Sequence, residues 1–434
     1  MSIVNLSGGA AAATMPTVTH SGTISSDETW AANTIHDIEA DLSILNAVVV
    51  TILEGCIVNL KDTTKIALGT DGATGYNTVR AAIRFLGTEA KRIKVNGEGT
   101  GNCFKGNGTV GNYYSNGVDA YYTDFCGLDT QSELSGRDVT GEYYSYSIFD
   151  HCSFDACNTL KWNPVGITRV AFVKCRFLNS VSGENVRIWQ ADGESGINII
   201  LEDTVFDAGL LVSGDNLRIV NCYLIGTTTY IPKHYGVTMS GCLLCNTDVT
   251  STNALTGMSY ANSSLIMDEC VLYGGIQNMT GSGAGSSVSC INSVLIGHSN
   301  THEHFVGNCD VLLRNNVMMG TCTEACVMDF GSHGTVAAPI GVVEFNTFLT
   351  RTTDGLRVNH LGTGTTSGWE IFSNNIFTNI TGSLVDDELN GSEVSVATCD
   401  NNVYYNYDDT LSPTLGTGTT TAGYTGNVAA VPGL

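Results

Sequence analysis

The stretch LRIVNCYLI, residues 217–225, decides the fold because the chain repeats its pattern eleven times between residues 149 and 405. Each copy has an apolar residue, a spacer that is often Asn or Asp, a small residue or Cys, a second spacer and a large apolar residue. We take the small residue as the anchor of each copy. The anchors are Cys152, Cys175, Thr204, Cys222, Cys242, Cys270, Ser293, Asn316, Thr347, Asn375 and Asn402.

The spacing of these copies predicts a solenoid of β-strands. The anchors recur about every 25 residues, in steps of 18 to 31, and a large apolar residue such as Phe154 or Leu224 follows two positions later. A constant core with variable intervals is typical of one strand-turn-strand unit that repeats while its surface loops vary. Apolar residues alternate at period two inside each copy, which favours strands over helices.

The residue before each anchor indicates how the unit turns. It is Asn in six copies, Asp203 in one and Gly241 in another, and these residue types accept a positive φ most readily. Three copies carry His151, Lys174 or Glu269 instead, and we expect those units to turn differently. Stacked units would bring the Asn side chains about 4.8 Å apart, close enough for a hydrogen-bonded amide ladder.

With these residues the repeat resembles the right-handed parallel β-helix of the pectin-lyase-like superfamily, in which such Asn residues mark a bend between two strands of each coil. The resemblance implies an all-β fold, a single right-handed parallel β-helix. We predict an N-terminal arm over residues 1–21, the β-helix over 22–405 and a C-terminal cap or tail over 406–434. Within the β-helix, 22–148 would hold the cap and degenerate coils and 149–405 the regular coils. The superfamily includes lyases, hydrolases, adhesins and virus tailspikes, so the fold alone does not specify a function.

Charge and composition restrict the partners of the chain. The 19 Lys and Arg against 42 Asp and Glu give a formal net charge of −23. There is no basic footprint for nucleic acid, and a polyanion such as pectate would be hard to hold without a cation. No segment is apolar enough to span a membrane. We therefore expect no nucleic-acid partner, no membrane insertion and no cofactor.

Fifteen Cys are present, and five of them are repeat anchors that we expect to be buried and reduced. The pair Cys242 and Cys245 has the spacing of a redox or zinc motif, but Cys242 belongs to the anchor column, which favours a structural role. The thiols lack the spacing of a disulfide scaffold, and no signal peptide is visible at the N-terminus. Both features favour assembly in a reducing cytoplasm.

A further strand precedes each bend, and in the superfamily that this chain resembles it commonly lines the binding face. Segments 302–306, 326–330, 356–360 and 384–388 would place such strands on successive coils. Their carboxylates, one or two coils apart, would be about 5–10 Å apart, which suits glycoside hydrolysis, and the Arg suits a lyase-type base or a carboxylate binder. No complete catalytic motif of the superfamily accompanies them, and we predict no metal site. The candidate catalytic residues are His304, Asp329, Arg357 and Asp386.

A second candidate site is a Tyr-rich stretch within residues 111–147. Exposed tyrosines stack on sugar rings or fill a protein interface, while others are ordinary residues of a coil. These alternatives stay open at this point. The candidate binding residues are Tyr113, Tyr114, Tyr121 and Tyr122.

Two classes of function fit the sequence. The first is a non-catalytic structural or adhesive component of a phage-like particle, such as a spike, fibre or capsid decoration. It would assemble in the host cytoplasm, reside in the virion as a homotrimer about the rod axis and contact other virion proteins or a surface polysaccharide. The alternative is a carbohydrate-active lyase or hydrolase, either secreted to the extracellular space or acting as a tailspike depolymerase.

Overall fold

The structure of the protein is a computed structural model. It describes residues 14–45, 47–69, 81–106, 116–129, 132–134, 144–162, 167–188, 197–212, 214–226, 229–230, 234–246, 253–258, 264–280, 287–297, 303–321, 324–329, 340–351, 354–359, 368–378, 383–387, 394–396, 400–405, 414–415, 419–421 and 428–429.

The chain is an all-β parallel β-helix, as the repeat predicts. Every pairing between described strands is parallel, and each strand pairs with the equivalent strand of the next coil. In chain order a coil adds one strand to each of three faces, which we name face one, face two and face three. The anchor lies at the bend between faces two and three. Parallel strands joined by crossover connections are almost always right-handed, the sense expected here.

The strands of the three faces have the following bounds. Face one holds Lys65–Leu68, Cys103–Gly106, Ser132–Glu133, Leu160–Trp162, Glu184–Ile188, Gly209–Val212, Thr229–Tyr230, Asn253–Met258, Gly275–Thr280, Glu303–Asn308, Glu324–Asp329, Asp354–Asn359, Ser383–Asp387 and Thr414–Leu415. Face two holds Glu28–Trp30, Val49–Leu53, Ala81–Leu86, Asn116–Tyr121, Tyr144–Asp150, Ile167–Val173, Ile197–Glu202, Gly214–Val220, His234–Ser240, Ser264–Asp268, Ser287–Ile291, Asp310–Arg314, Ile340–Glu344 and Gly368–Ser373. Face three holds Ile57–Leu60, Ile93–Gly97, Thr123–Cys126, Ser153–Asp155, Arg176–Leu178, Val205–Phe206, Tyr223–Gly226, Leu243–Asn246, Val271–Tyr273, Val294–Ile296, Val317–Thr321, Thr347–Arg351, Ile376–Thr378, Val403–Tyr405 and Val428–Ala429.

Parallel pairing extends past both boundaries, 22 and 405, that we drew from the sequence. At the N-terminal end, Thr17–Ile24 pairs with Ile35–Ile44, which continues into faces three and one. At the other end, Thr414–Leu415 and Val428–Ala429 pair with strands of the preceding coil, and Thr419–Thr421 pairs with Val394–Val396. Part of the predicted arm and part of the predicted cap therefore belong to coils.

The core is a column of side chains that stack from coil to coil. On face three the rings of Phe125, Phe154, Phe177 and Phe206 stack in sequence, with centroids 4.5 to 4.9 Å apart. The coil repeat of about 4.8 Å brings identical positions to the stacking distance of aromatic rings. Each such pair adds about 0.5–1.5 kcal/mol beyond the burial of its area.

In the eleven repeat copies the bend between faces two and three always uses the same backbone conformation, with φ between 48° and 62°. The expectation that His151, Lys174 and Glu269 turn differently is wrong. Coil-to-coil hydrogen bonds hold these bends: the backbone N–H of Lys174 donates to the Glu202 carbonyl at 2.8 Å. These bonds offset the cost of about 1–2 kcal/mol that a non-glycine residue incurs in the left-handed region. The bend residues are His151, Lys174, Asp203, Asn221, Gly241, Glu269, Asn292, Asn315, Phe345, Asn374 and Asn401.

One repeat was assigned in the wrong register. The structure bends at Phe345, so Asn346 rather than Thr347 is the buried anchor, and Phe348 rather than Leu349 fills the core. Leu349 is 48% exposed, because a shift of one residue moves every side chain of a strand to the other side. Asn346 was expected at the bend, but its side-chain amide lies in the core, where it forms hydrogen bonds with the anchors Asn316 and Asn375.

The anchor column is buried, and no anchor is more than 2% exposed. The five Cys anchors are free thiols, as predicted. In the last coils the column becomes an amide ladder: the Asn346 side-chain N–H donates to Asn375 Oδ1 at 3.2 Å, and that of Asn375 donates to Asn402 Oδ1 at 3.1 Å. The ladder predicted on the outer bends is present only in part, since Asn315 donates to Asn292 at 2.7 Å while Gly241 interrupts the column.

Candidate functional site

A groove of about 490 Å³ lies open on face two. Four consecutive strands build it, namely Ile167–Val173, Ile197–Glu202, Gly214–Val220 and His234–Ser240. Their inward side chains are core residues, so the alternating outward positions form the surface of the groove. The outward residues that line it are Arg169, Asn198, Ile200, Asn216, Arg218, Gly236 and Thr238, and the buried residues Ile199 and Leu217 complete the lining.

Strand register brings the polar residues of the groove together. Arg169 is paired with Asn198, and Asn198 with Asn216, so these three form one row across neighbouring coils. Ile200, Arg218 and Thr238 form the adjacent row. From strand geometry the Cα atoms of Arg169 and Arg218 are roughly 12 Å apart, two coils and two residues removed.

The Asn198 and Asn216 side chains are held against each other between the two arginines. Asn216 Nδ2 donates to Asn198 Oδ1 at 3.1 Å. This bond orients both amides along the coil axis and limits the rotamers available to them. Both residues are exposed at the groove surface.

The guanidinium groups of Arg169 and Arg218 form no ion pair with any carboxylate in the described part of the chain. Other arginines do form ion pairs: Arg92 with Asp124 at 2.6 Å, Arg187 with Glu184 at 2.7 Å, and Arg314 with Glu344. Arg169 and Arg218 form no such pair among the described residues. In a chain of net charge −23 this is a local positive site.

The groove has the chemistry to bind a hydroxyl-rich anion. A guanidinium group presents a planar fork of donors that matches a carboxylate or sulfate, and an amide both donates to and accepts from hydroxyl groups. Ile200 adds an apolar contact beside Arg218. A strip of acidic sugar units combines these groups in one ligand.

The four candidate catalytic residues lie on four successive strands of face one, as the spacing predicts. Backbone register pairs Arg357 with Asp386 and with Val327, and it pairs Asp329 with Asn359, two residues beyond Arg357. His304 lies in Glu303–Asn308, one coil before the strand of Asp329. The backbone thus brings Arg357 and Asp386 to neighbouring coils. Their catalytic role stays a prediction.

Of the candidate binding tyrosines, Tyr113 and Tyr114 lie outside the described residues, and Tyr121 ends a strand of face two. Tyr122 is at a bend, where its ring stacks on His151 at 4.5 Å and the Arg92 Cζ lies 6.0 Å from the ring centroid.

Beside the Tyr122 ring, Arg92 and Ser153 both donate hydrogen bonds to the Asp124 carboxylate. Burial would raise the pKa of Asp124, but hydrogen bonds from Arg92 and Ser153 outweigh burial and lower it. The ring of Tyr122 therefore has protein partners of its own, and sugar stacking at this position stays a prediction.

Cysteine chemistry and metals add no site within the described residues. Cys242 points into the core and Cys245 lies on the outer side of face three, so the two thiols of the CxxC spacing do not converge. Burial raises the pKa of Cys222 and of Cys290 to about 12, which keeps both thiols protonated at neutral pH. In the described ranges no three His, Cys, Asp or Glu side chains are placed to hold a metal ion. The same ranges contain no helix that could cross a membrane.

Comparisons with known proteins give neither a family nor an activity for this chain. No family model matches the chain, and no curated protein matches it. One matching solved structure is that of a mannuronic acid specific polysaccharide family 6 lyase enzyme from human gut microbiota. It shares 12% identity, covers 88% of this chain and 78% of its own, and has a TM-score of 0.22. A likeness at that TM-score carries no argument about what this chain does.

The sequence alone did not reveal the groove. Arg169, Asn198, Asn216 and Arg218 are separated by 29, 18 and 2 residues, and nothing local marks them as neighbours. The available signal was the anchor spacing: counting back from the bends at Lys174, Asp203 and Asn221 places Arg169, Asn198 and Asn216 each five residues before a bend. Aligning outward positions by their distance from the bend would have found the row.

Proposed function

We propose that this β-helix binds an acidic polysaccharide along the groove of face two. The observation that carries the proposal is the placement of Arg169 and Arg218 around the Asn198–Asn216 amide pair. A chain of sugars laid across coils would meet a guanidinium group, two amides and a second guanidinium group. Such a ligand belongs to the carbohydrate-active alternative as well as to an adhesive role.

The overall acidity does not prevent this binding. At physiological ionic strength the Debye length is about 8 Å, so carboxylates elsewhere on the rod are largely screened from a ligand in the groove. Contacts made at hydrogen-bond distance are screened much less, and a hydrogen bond to a charged group contributes about 1.5–3 kcal/mol. The local guanidinium groups therefore outweigh the net charge.

Binding of oligogalacturonate, measured by isothermal titration calorimetry, tests the proposal. We expect wild-type protein to bind it and a neutral oligodextran of equal length to bind at least tenfold more weakly. The double variant Arg169→Gln/Arg218→Gln should lose tenfold or more in affinity, because two charge-assisted hydrogen-bonding groups are removed. Arg176→Gln, an exposed arginine on face three, is the matched control and should bind as wild type.

Equal affinity of the double variant and wild type, or no binding of any acidic oligosaccharide by wild type, would contradict the proposal. Other acidic oligosaccharides, such as oligomannuronate or a sulfated glycan, distinguish which anionic sugar the groove prefers. The protein should keep its β-type circular dichroism spectrum in all variants, since the substituted side chains point out of the core.

A second candidate function is polysaccharide cleavage on face one. What favours it is the backbone register of Arg357 with Asp386 on adjacent coils, with Asp329 and His304 on the two coils before. Groove binding on face two and cleavage on face one make different predictions about where the sugar sits. A virion location, a homotrimeric state and assembly in a host cytoplasm are further proposals, which rest on the sequence.

A further inference from the structure

An apolar stripe runs along the outer side of face three in the C-terminal half of the rod. It is formed by the two outward positions of six consecutive strands, which are in register from coil to coil. Neither position carries a charged residue in any of the six. The stripe comprises Tyr223 with Ile225, Leu243 with Cys245, Val271 with Tyr273, Val294 with Ile296, Val317 with Met319, and Thr347 with Leu349.

The same face is polar in the N-terminal half, so the stripe is not a general property of face three. The equivalent outward positions there include Lys94, Asp124, Asp155 and Arg176. The change occurs at Val205, which pairs with Arg176 on one side and Tyr223 on the other. A solvated strand normally alternates apolar and polar residues, and these strands do not.

The exposure and size of the stripe are those of an interface core. Tyr223 is 51% exposed, Ile225 38% and Leu349 48%. Six coils and two rows cover roughly 350 Å², and the first row continues through Val205, Ile376 and Val403 to about 450 Å². The largest apolar patch on a typical soluble monomer covers about 300–600 Å² and is often functional, and the stripe falls in that range. A standard interface buries about 800 Å² per partner, with an apolar centre and a polar rim.

We propose that the stripe is the surface through which copies of this chain associate side by side. Two identical rods share one coil repeat, so the rows of one stripe meet those of another along their full length. Charge restricts where two copies can meet, because each chain has a net charge of −23 and repels its neighbours wherever carboxylates face each other. The stripe is a long surface on which two copies meet without apposing any charged side chain.

A double variant with a matched control tests this surface by light scattering. In Ile225→Glu/Leu349→Glu, carboxylates are placed in the stripe at sites 38% and 48% exposed. In the control Leu86→Glu/Ile266→Glu, the same residue types are replaced on face two at sites 38% and 45% exposed. We expect wild type and control to have at least twice the 45.9 kDa monomer mass at micromolar concentration, and the stripe variant to be monomeric.

Native cysteines provide a second measurement if the stripe variant fails to fold. Cys245 lies within the stripe, whereas Cys126 lies on the polar half of the same face and is exposed. In wild-type protein, maleimide labelling of Cys245 should slow at least severalfold as concentration rises through the association range, while labelling of Cys126 stays constant. A monomeric wild type, an oligomeric stripe variant, a monomeric control or concentration-independent labelling of Cys245 would each overturn the proposal.

Discussion

In the last coils the anchors are Asn residues. The backbone N–H of each anchor, next to the bend, needs an acceptor, and the side-chain amide of the following anchor supplies it. The N–H of Asn346 donates to Asn375 Oδ1 at 2.9 Å, and the N–H of Asn375 donates to Asn402 Oδ1 at 3.0 Å. In the same way the backbone N–H of Cys175 donates to the Thr204 hydroxyl, and that of Cys270 donates to the Ser293 hydroxyl. An apolar side chain at this position would leave a buried donor unsatisfied, at a cost of about 1–3 kcal/mol.

Replacing one rung of the ladder should therefore destabilise the rod. In Asn375→Ala the backbone N–H and amide of Asn346 lose an acceptor, and the Val343 carbonyl loses a donor. We expect a loss of about 2–4 kcal/mol in the free energy of unfolding, measured by urea denaturation. The control is Asn374→Gly, one residue earlier at the exposed bend, which relieves a φ of 57°. Equal midpoints for the two variants would contradict this account of the anchor.

At this scale the sequence predicted the positions of most bends and anchors but not the bonds between them. The burial of the Cys anchors could be predicted from the repeat, because a small side chain that tolerates burial is all that their position requires. Phe345 escaped prediction because coil-to-coil hydrogen bonds impose the bend whatever the residue's own preference. The side-chain amide of the adjacent Asn346 can donate and accept hydrogen bonds. This property suits a bend residue, and it equally suits a buried residue of the amide ladder.

Among the elements, the first strand depends on a cluster of rings. Thr17–Ile24 carries His20, whose Nε2 lies 2.9 Å from Nδ1 of His36 on the strand it pairs with. The rings of both histidines stack on Trp30 at 4.0 and 4.6 Å. His36 is 2% exposed, and its Nε2 has no hydrogen-bond partner among the described residues.

Acidification should loosen this strand. Burial lowers the pKa of His36 to about 4, helped by the neighbouring His20 and opposed by the backbone of Ala31 and by Asp37. Burial likewise lowers the pKa of His20, against the charge of Glu28. A histidine whose folded pKa lies below its unfolded value of about 6.5 stabilises the fold above pH 6.5, and this stabilisation is lost as the pH falls towards 4.

Hydrogen exchange of the amides in Thr17–Ile24 measures this loss locally. Between pH 7.5 and 5.0 we expect their protection, corrected for intrinsic rates, to fall about 30-fold, or about 2 kcal/mol. In His36→Phe, which keeps the ring but cannot titrate, the protection should change much less. His151→Asn, at a bend far along the chain, should behave as wild type. If protection in wild type were the same at both pH values, the ring cluster would have no such role.

This cluster could not be predicted from the repeat, because the first coil contains no copy of it. His20, Trp30 and His36 are brought together by the pairing of one irregular strand with the next. The parallel strands of the regular coils were more accessible to prediction, since each copy carries its own bend signal. The repeat therefore predicted which strands form. It did not predict which side chains meet between coils, because those contacts depend on loop lengths that the repeat does not determine.

Considered as a whole, the rod presents different chemistry on each face. Face two carries the arginine-lined groove, face three the apolar stripe, and face one the strands of the candidate catalytic residues. These surfaces point in different directions, so a copy bound through the stripe leaves the groove accessible to a polysaccharide. The separation explains why the fold alone could not decide between an adhesive and a catalytic role.

The proposed binding of an acidic polysaccharide in the groove of face two can be observed directly. A crystal structure of the protein with a bound hexagalacturonate tests this claim most directly. We expect sugar carboxylates within about 3.2 Å of the Arg169 and Arg218 guanidinium groups and hydroxyls at the Asn198–Asn216 pair. Sugar density on face one along Glu303–Asn308 and Ser383–Asp387, with the face-two groove empty, would contradict the claim and favour the catalytic alternative.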